Sequence, residues 1–155
     1  MLEMDRKDLR AAFGMFATGV TIVTTLDQNN MPVGFTANSF TSVSLNPPMV
    51  LVCMSQTSRS HGAISKNAGF SVSILARGQD AISRNFSTPD IDRFANNYWH
   101  SGPSGRPLIN GCSAWFDCTR DKIIDAGDHS ILLGKVIDFG QNNNPPLVLS
   151  QSRFH

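Results

Sequence analysis

The stretch from Gly34 to Val50, GFTANSFTSVSLNPPMV, decides the fold of this chain. It has no charged residue, it mixes small hydroxyl and amide side chains with apolar ones, and it ends in Asn46-Pro47-Pro48 before a hydrophobic run. A buried strand usually carries Val, Ile and Leu, whereas a solvated strand carries charged side chains such as Lys or Glu. Because this stretch fits neither pattern, it predicts an extended segment that places small polar groups beside a core strand.

Apolar strands flank this stretch on both sides. Upstream, the β-branched run 20–25, a turn at 27–30 and a return through Val33 and Phe35 predict a hairpin. Downstream, PMVLVCMS at 48–55 predicts an apolar strand, with the proline pair at the turn before it. The stretch therefore connects two predicted core elements.

The rest of the chain predicts further strands. FSVSIL at 70–75 alternates with period two, which is typical of a strand. The region 112–140 predicts two long strands around a turn at 125–128, and PPLVLS at 145–150 predicts a last short strand. Residues 88–111 hold three prolines and predict a long irregular connection, which in a compact domain is usually functional or packed against a partner.

Three short helices are predicted between these strands. Asp8 can cap the first, in which Leu9, Phe13 and Phe16 recur at helical spacing. The other two are predicted from Thr57 or Ser58 to Asn67 and Gly69, and over residues 77–87. Six or seven antiparallel strands with so few helices predict a mainly β protein, an antiparallel β-barrel with peripheral helices, in a single domain over residues 1–155.

Composition and charge exclude several functional classes. A net charge of +1 offers no basic surface for nucleic acid and no polybasic patch for a membrane. Segment 1–19 is too charged for a signal peptide, so a cytoplasmic protein is predicted. A charged fraction of only 16% is low, and burial of part of the surface in a dimer would explain it.

Cysteine and histidine spacing gives no sign of disulfides or of a metal site. Cys53, Cys112 and Cys118 are odd in number, form no C-x-x-C motif and have strand-like neighbours, so they are predicted to be buried thiols. The four histidines lie far apart in the sequence and show no metal-ligand spacing. No metal is therefore predicted.

The stretch that decides the fold is also the first candidate site. If residues 36–45 form one strand, its side chains divide between two faces, neither of which is a clean core face. Small residues let a flat ligand approach the backbone, and hydroxyl, amide, N–H and C=O groups match a planar heterocycle such as a flavin or a pterin. The alternative is an edge strand whose Ser and Thr side chains face water.

The second candidate site is Thr57-Ser58-Arg59-Ser60 at a predicted helix start. Free N–H groups, hydroxyls and an arginine together form an anion site that suits a phosphate. Arg84, near the end of the next helix, can add a positive contact. The alternatives are an ordinary helix cap and a solvated arginine.

The third candidate site is the turn Gly127-Asp128-His129-Ser130, which leads into a strand. A histidine at a strand entrance can bind a carboxamide or stack on a ring, and Asp128 can orient it. The alternative is a tight turn that needs Gly and Asp for its backbone alone.

In their order and spacing, these segments resemble the short-chain flavin reductase family, the flavin reductase-like proteins that supply reduced flavin to two-component monooxygenases. The resemblance covers nearly the whole chain. Its motifs are FGMFATGVTIVTT, PVGFTANSFTSVSLNPPMVLVCMSQTSRSHGAI, FSVSILARGQDAISRNFS, RFANNYWHSG, PLINGCSAWFDC and DAGDHSILLGKV. It implies the antiparallel split β-barrel of the FMN-binding type, and a homodimer with flavin near the subunit interface.

The resemblance also implies where flavin binds. The isoalloxazine edge would be lined by Thr36, Ala37, Asn38 and Ser39, with Ser42 nearby and with Cys53 and Ser55 beside it on the next strand. The flavin phosphate would be held by Ser58, Arg59 and Ser60, with Arg84 and Phe86 completing that end.

A further group would bind the nicotinamide. His129 of the Gly-Asp-His motif would lie at the nicotinamide and orient it without acting as acid or base. Arg153 and Phe154 occupy the place of a family Arg-aromatic pair that can contribute to this pocket.

The activity implied by the resemblance is hydride transfer from NADH or NADPH to FMN or FAD, that of an NAD(P)H-dependent flavin reductase of class EC 1.5.1. The reduced flavin would reach a partner monooxygenase by diffusion. Neither the choice of flavin nor that of nicotinamide nucleotide is fixed by the sequence. One alternative is a flavin-binding electron carrier or redox sensor of the same fold, and another is a split-barrel oxidase acting on a small amine.

Overall fold

The computed structural model describes residues 3–155, so the first two residues of the predicted domain lie outside the described part. Within that range the helices are α1 (Arg6–Phe13), α2 (His61–Lys66) and α3 (Asp80–Asn85). The strands are β1 (Thr18–Gly19), β2 (Thr21–Leu26), β3 (Pro32–Ala37), β4 (Phe40–Leu45), β5 (Pro48–Ser55), β6 (Gly69–Ile74), β7 (Trp99–Ser101), β8 (Pro107–Ile109), β9 (Ala114–Ala126), β10 (His129–Gln141), β11 (Val148–Ser150) and β12 (Arg153–Phe154).

Seven of these strands form one sheet in the order β3-β2-β6-β9-β10-β5-β4. Every neighbouring pair in it is antiparallel. Two smaller sheets have the orders β1-β11-β12 and β7-β8. The prediction of a mainly β, antiparallel protein is confirmed, and the predicted β2–β3 hairpin and the long β9–β10 pair are both present.

The stretch Gly34–Val50 joins the two opposite edges of the large sheet. β3 ends at Ala37 and β4 begins at Phe40, so only two residues separate the edge strands. Since consecutive Cα atoms are about 3.8 Å apart, the two edges come within about 11 Å of each other here. The carbonyl of Ser39 also accepts a hydrogen bond from the Cys53 N–H of β5 at 3.1 Å. The sheet is therefore strongly curled at this point.

The interpretation of residues 36–45 as one continuous strand is wrong. The chain bends at 38–39, and the pairing of β4 with β5 shifts register between Ser42 and Ser44. Both irregularities break the period-two alternation, so the predicted division into two faces does not exist. The alternative of an edge strand describes β4 correctly, because β4 is the last strand in the order of the sheet.

Two clusters of buried apolar side chains form the core, and each cluster holds one of the helices α2 and α3 in place. The first cluster contains Val23, Phe35, Ala37, Val50, Val52, Met54, Ile64, Phe70, Val72, Cys118 and Leu132. The second contains Val20, Ile22, Leu75, Ile82, Phe86, Ile109, Cys112 and Leu147. Ile64 anchors α2 in the first cluster, while Ile82 anchors α3 in the second, so the segments before these helices have fixed positions.

The first helix begins earlier than predicted. Asp5 is its N-cap, since the carboxylate accepts hydrogen bonds from the N–H groups of Lys7 at 2.7 Å and Asp8 at 3.4 Å. Asp8 lies in the first turn, where its charge is favourable near the positive end of the helix. The predicted cap at Asp8 is therefore wrong, and Phe16 lies beyond the helix end.

The second helix begins later than predicted. Ser60 is its N-cap and makes no capping hydrogen bond with its side chain, so the predicted cap at Thr57 or Ser58 is wrong. The Ser58 hydroxyl instead accepts from the Ser60 N–H at 3.3 Å, within the turn that precedes the helix. Asn67 ends the helix, as the sequence predicts.

The long connection 88–111 is more regular than predicted, because it contains the β7–β8 pair. Side chains tie it to the rest of the fold. The Trp99 indole donates to the Phe94 carbonyl at 3.1 Å, and the Thr24 hydroxyl donates to the Pro107 carbonyl at 2.6 Å. These hydrogen bonds hold the connection in place beside β2 and β3.

The three thiols are free, with Cys112 and Cys118 buried and Cys53 half-buried. Burial, together with the neighbouring charge of Asp117, raises the pKa of Cys118 to about 12. The prediction of buried thiols is confirmed for two of the three. Within residues 3–155, no helix has both the length and the hydropathy needed to cross a bilayer.

Candidate functional site

The end of β3 is fastened to α3. The Thr36 hydroxyl donates to the Ser83 carbonyl at 2.6 Å, and the Thr36 N–H donates to the Phe86 carbonyl at 3.3 Å. Ala37 is buried, and its carbonyl accepts from the Thr21 hydroxyl at 2.7 Å. Thr36 and Ala37 thus hold this end of the strand in place, and the Thr36 hydroxyl, the Thr36 N–H and the Ala37 carbonyl are already engaged.

Asn38 and Ser39 form the short crossing between the sheet edges. Asn38 is exposed, and its amide makes no hydrogen bond with any residue from 3 to 155. The Ser39 hydroxyl donates to the Cys53 carbonyl at 2.8 Å, which closes the crossing onto β5. Of the four residues predicted at the isoalloxazine edge, Asn38 therefore has a side-chain donor and acceptor ready for a ligand.

Ser42, Cys53 and Ser55 lie on the adjoining β4 and β5. Ser42 is exposed and pairs with Val50. Cys53 is half-buried, whereas Val52 and Met54 on either side of it are fully buried, so Cys53 lies on the opposite face of β5 from the core. Ser55 ends the strand, which continues into the predicted phosphate turn, the segment 55–60 where the flavin phosphate is expected to bind.

The turn 55–60 presents several polar donors. The Ser55 and Thr57 hydroxyls lie 3.0 Å apart, and the Ser58 hydroxyl accepts from the Ser60 N–H, which leaves its own hydrogen free to donate. The Arg59 N–H has no acceptor among residues 3–155. This turn can therefore bind an anion with a hydroxyl, a backbone N–H and a guanidinium.

Ser60 has a different role from the one predicted. Its side chain is buried, and its hydroxyl donates to the Gly34 carbonyl at 3.2 Å. The hydroxyl hydrogen is thus committed to β3, and the residue ties the turn to the sheet. Of the three residues predicted to hold the flavin phosphate, Ser58, Arg59 and Ser60, the first two therefore have donors available.

Arg84 lies at another opening on the surface. Its guanidinium is 2.8 Å from Asp80, one turn earlier in α3, and is centred 5.3 Å above the Phe154 ring. The opening has a volume of about 490 Å³, and Arg77, Arg153 and His155 also line it. The structure thus brings together Arg84, Arg153 and Phe154. Arg84 was predicted to bind the flavin phosphate, and the other two residues were predicted at the nicotinamide pocket.

Phe86 cannot contact a ligand through its ring. The ring is buried in the second core cluster and packs edge-on against Phe94, with ring centroids 5.0 Å apart. Its carbonyl accepts from the Thr36 N–H. Phe86 therefore positions the end of β3, and the predicted contact with flavin is not one its side chain makes.

The Gly-Asp-His turn joins β9 to β10. Gly127 has a φ of +63°, a conformation that glycine adopts without strain. His129 Nδ1–H donates to Asp128 Oδ1 at 2.7 Å, and this hydrogen bond lowers the pKa of the Asp128 carboxyl. The predicted orientation of His129 by Asp128 is present, and Nε2 of the half-exposed ring is free to meet a ligand.

The predicted phosphate turn and the Gly-Asp-His turn are neighbours. His129 pairs with Ser55 across the β10–β5 ladder, and the Gln56 N–H donates to the Asp128 carbonyl at 3.0 Å. A phosphate bound at Ser58 and a ring bound at His129 would therefore be held by the same end of the sheet.

Two residues near this site were not found from the sequence. Arg93 donates to the Gly34 carbonyl at 2.8 Å, and His61 Nε2 lies 3.1 Å from the Ser130 hydroxyl. Their role depends on contacts between distant segments, which spacing does not reveal. The sequence motif RFANNYWHSG, which contains Arg93, could have indicated that Arg93 lies near the site. Between residues 3 and 155, no group of three or more His, Cys, Asp or Glu side chains could hold a metal ion.

Comparisons with known proteins confirm the resemblance to flavin reductases. Residues 13–155 match the family model "Flavin reductase like domain". The chain is 47% identical over 135 residues to a probable flavin reductase of Rhizobium meliloti (strain 1021), covering 87% of this chain and 43% of that protein. It is 48% identical over 143 residues to the reductase component of the flavin-dependent trigonelline monooxygenase of Acinetobacter baylyi, covering 90% of this chain and 46% of that protein. The chain thus spans about half the length of these two relatives.

A solved structure is similar over nearly its whole length. The Streptomyces globisporus C-1027 NADH:FAD oxidoreductase SgcE6, in complex with NAD and FAD fragments, superposes with a TM-score of 0.93 at 40% identity. The superposition covers 97% of this chain and 92% of that one.

Proposed function

Because the chain belongs to the flavin reductase-like domain family, we propose that it transfers a hydride from NADH or NADPH to FMN or FAD and supplies the reduced flavin to a partner monooxygenase. The enzyme class would be EC 1.5.1. The single observation that carries this proposal is the pairing of His129 with Ser55, which puts the residue predicted to bind the nicotinamide beside the turn predicted to bind the flavin phosphate.

The residues present fit a flavin nucleotide. The exposed Asn38 amide can pair with the donors and acceptors at the edge of the ring system, and the only other side chain of the crossing is the small Ser39. At the other end, the Ser58 hydroxyl, the Arg59 N–H and its guanidinium are the donors a phosphate needs. Uncharged groups thus face the predicted ring, and the positive charge lies at the predicted phosphate.

The protein's task in this reaction is positioning. A bound flavin accepts the hydride that the nicotinamide gives up, and this transfer needs no protein acid or base. His129 Nε2 is available to hydrogen-bond the nicotinamide carboxamide, while Asp128 fixes the ring through Nδ1. Holding the two rings in contact removes most of the entropic barrier to their reaction.

The proposal extends to the architecture. The curled sheet, whose edges meet at 38–39, supports the split β-barrel of this family, in a single domain over residues 1–155. Large apolar side chains remain exposed at the α1 end, on β4 and on β10, and they support a homodimer; among them are Phe16, Leu45, Ile137 and Phe139. Sedimentation would show a dimer. The cytoplasmic location stays a prediction.

A carrier or redox sensor of the same fold is the second candidate. Such a protein keeps its flavin and needs no nicotinamide pocket. The half-exposed His129, held in one orientation by Asp128, favours the reductase, since a carrier has no use for this arrangement.

A steady-state assay tests the proposal. The purified protein is stripped of flavin, and the loss of nicotinamide absorbance is followed with NADH or NADPH while FMN, FAD or riboflavin is titrated. Rates that saturate with added flavin are expected, and the best pair identifies the cofactors. Tight flavin retention without nicotinamide oxidation would contradict the proposal and favour the carrier.

A further inference from the structure

A groove runs between the start of β3 and the connection 88–111. Its volume is about 270 Å³, and it is lined by Gly34, Arg59, Ser60, Asp92 and Arg93 together with apolar residues. Two of these residues are arginines from segments that are distant in the sequence. Arg59 and Ser60, which line the groove, also belong to the turn 55–60.

Arg93 lies in this groove without an acidic partner. It donates from Nη1 to the Gly34 carbonyl at 2.8 Å, and from Nε and Nη2 to the Thr88 carbonyl at 3.4 and 3.3 Å. No carboxylate of residues 3–155 lies within 4.0 Å of it. A guanidinium has five N–H donors, so two of them remain for a ligand.

Arg59 faces the same groove from the other side. Partial burial lowers the pKa of Arg93, and repulsion by the positive charge of Arg59 lowers it further. Arg59 is paired with Asp90 at 2.9 Å, but 67% of the Arg59 side chain and 88% of the Asp90 side chain are exposed. An ion pair this exposed is weak, so Asp90 is readily displaced by a stronger anion.

Two facing arginines with unused donors match a phosphate group better than any neutral ligand. Building on the proposed function, we propose that Arg59 and Arg93 bind the second phosphate of a flavin dinucleotide, so that this protein prefers FAD to FMN. In FAD the first phosphate would lie at the Ser58 hydroxyl and the Arg59 N–H, and the Arg59 guanidinium would turn to the second phosphate in the groove.

The position of the groove favours flavin over the nicotinamide nucleotide as the source of this phosphate. Ser60 and Arg59 are shared between the groove and the predicted flavin-phosphate turn. His129, at the predicted nicotinamide end, does not line the groove. The 2′-phosphate of NADPH is chemically similar to the second phosphate of FAD, so the experiment tests whether the groove binds FAD or NADPH.

Asp90 has the opposite role to the arginines. Its carboxylate occupies Arg59 while no phosphate is bound, and it repels an incoming phosphate. Asp90 has a φ of +58°, which Asn tolerates as well as Asp, so Asp90→Asn removes the charge without straining the backbone. This variant is therefore expected to bind FAD more tightly, by about two- to threefold.

The test measures dissociation constants for FAD, FMN and riboflavin by quenching of flavin fluorescence. Arg93→Gln should weaken FAD about tenfold, since charge-assisted hydrogen bonds to phosphate are lost, and leave FMN and riboflavin within about twofold. Lys66→Gln removes an exposed positive charge from α2 outside the groove and should change none of the three.

Several outcomes would overturn the assignment. Equal weakening of FAD and FMN by Arg93→Gln, or no weakening at all, would show that no second phosphate binds there. A selective rise of the KM for NADPH over NADH would assign the groove to the nicotinamide nucleotide instead. If Arg93→Gln does not fold, as judged by circular dichroism, Asp90→Asn decides alone: FAD affinity that is unchanged, or that rises no more than FMN affinity, contradicts the proposal.

Failure of the proposed function looks different. In that case the wild-type protein would oxidise no reduced nicotinamide with any flavin. Failure of this inference alone would leave that activity intact, with the ratio of FAD to FMN affinity unaffected by Arg93→Gln.

Discussion

His129 Nδ1 lies 2.7 Å from Asp128 Oδ1, at a turn whose backbone is hydrogen-bonded to the predicted phosphate turn through Gln56. This contact fixes the imidazole and leaves Nε2 as its free nitrogen. Because the pair is formed by adjacent residues at the end of a two-stranded ladder, it is maintained by local geometry. The proposed nicotinamide contact depends on this arrangement.

Replacing His129 should separate nicotinamide use from flavin binding. In His129→Ala, the KM for reduced nicotinamide is expected to rise about five- to tenfold, since one hydrogen bond to the carboxamide is lost. The dissociation constant for flavin should change by less than about twofold, because His129 is not predicted to contact flavin. Steady-state kinetics and flavin titration measure the two effects. Equal losses in both would remove the assignment of His129 to nicotinamide.

The Asp128 carboxyl should titrate below its ordinary range because of its hydrogen bond with His129. A lowered folded-state pKa means that the interaction stabilises the fold above the unfolded-state pKa, and that this stabilisation is lost as the pH falls through the folded-state pKa. An NMR titration of Asp128 should give a lower pKa in the wild type than in His129→Ala. Identical values would show that the hydrogen bond is absent in solution.

The buried ion pair between Arg106 and Asp117 should be important for stability. The two groups are 2.9 Å apart, with 13% and 2% of their side chains exposed, and Asp117 also accepts from the Ser71 hydroxyl. Arg106→Met leaves a buried carboxylate without its cation and should lower the free energy of unfolding by about 3 kcal/mol.

The longer and more exposed pair of Lys135 and Asp121, 3.4 Å apart with 52% and 23% of their side chains exposed, provides the control for this prediction. Lys135→Met should change the free energy of unfolding by less than about 1 kcal/mol. Urea denaturation of both variants checks the contrast. A similar effect in the two variants would mean that burial of the Arg106 pair has no energetic consequence.

Gly134 should be intolerant of any side chain. A Cβ there would lie 2.5 Å from the Phe70 ring and 3.0 Å from Cys118 Cβ, both fully buried. Gly134→Ala is expected to lower the free energy of unfolding by about 2 kcal/mol through overpacking. Gly19→Ala, where nothing lies within 4 Å of the new Cβ, should change stability far less in the same denaturation experiment. Comparable losses would show that the core near Phe70 can readjust.

Local features of this protein could be predicted from its sequence. The turn at Gly127 and Asp128 was found because its residue types specify the backbone there. The β2–β3 hairpin and the long strands β9 and β10 follow from period-two patterns that one segment carries by itself.

Features that depend on distant segments could not be predicted. The bend at Asn38 and Ser39 results from the meeting of two sheet edges, so alternation across residues 36–45 gave two false faces. Asp5 and Asp8 are both able to cap α1, and sequence spacing does not choose between them. Arg93 became a candidate only because the fold places it opposite Arg59.

The most direct test of the central claim is the number of nicotinamide molecules oxidised per protein molecule. Flavin-free protein is mixed without oxygen with excess NADH and excess free flavin, and the reduced flavin is measured against the amount of protein. A reductase should reduce the free flavin many times over, until either substrate is exhausted. Reduction that stops at one flavin per protein would contradict this account and identify a carrier that keeps its flavin.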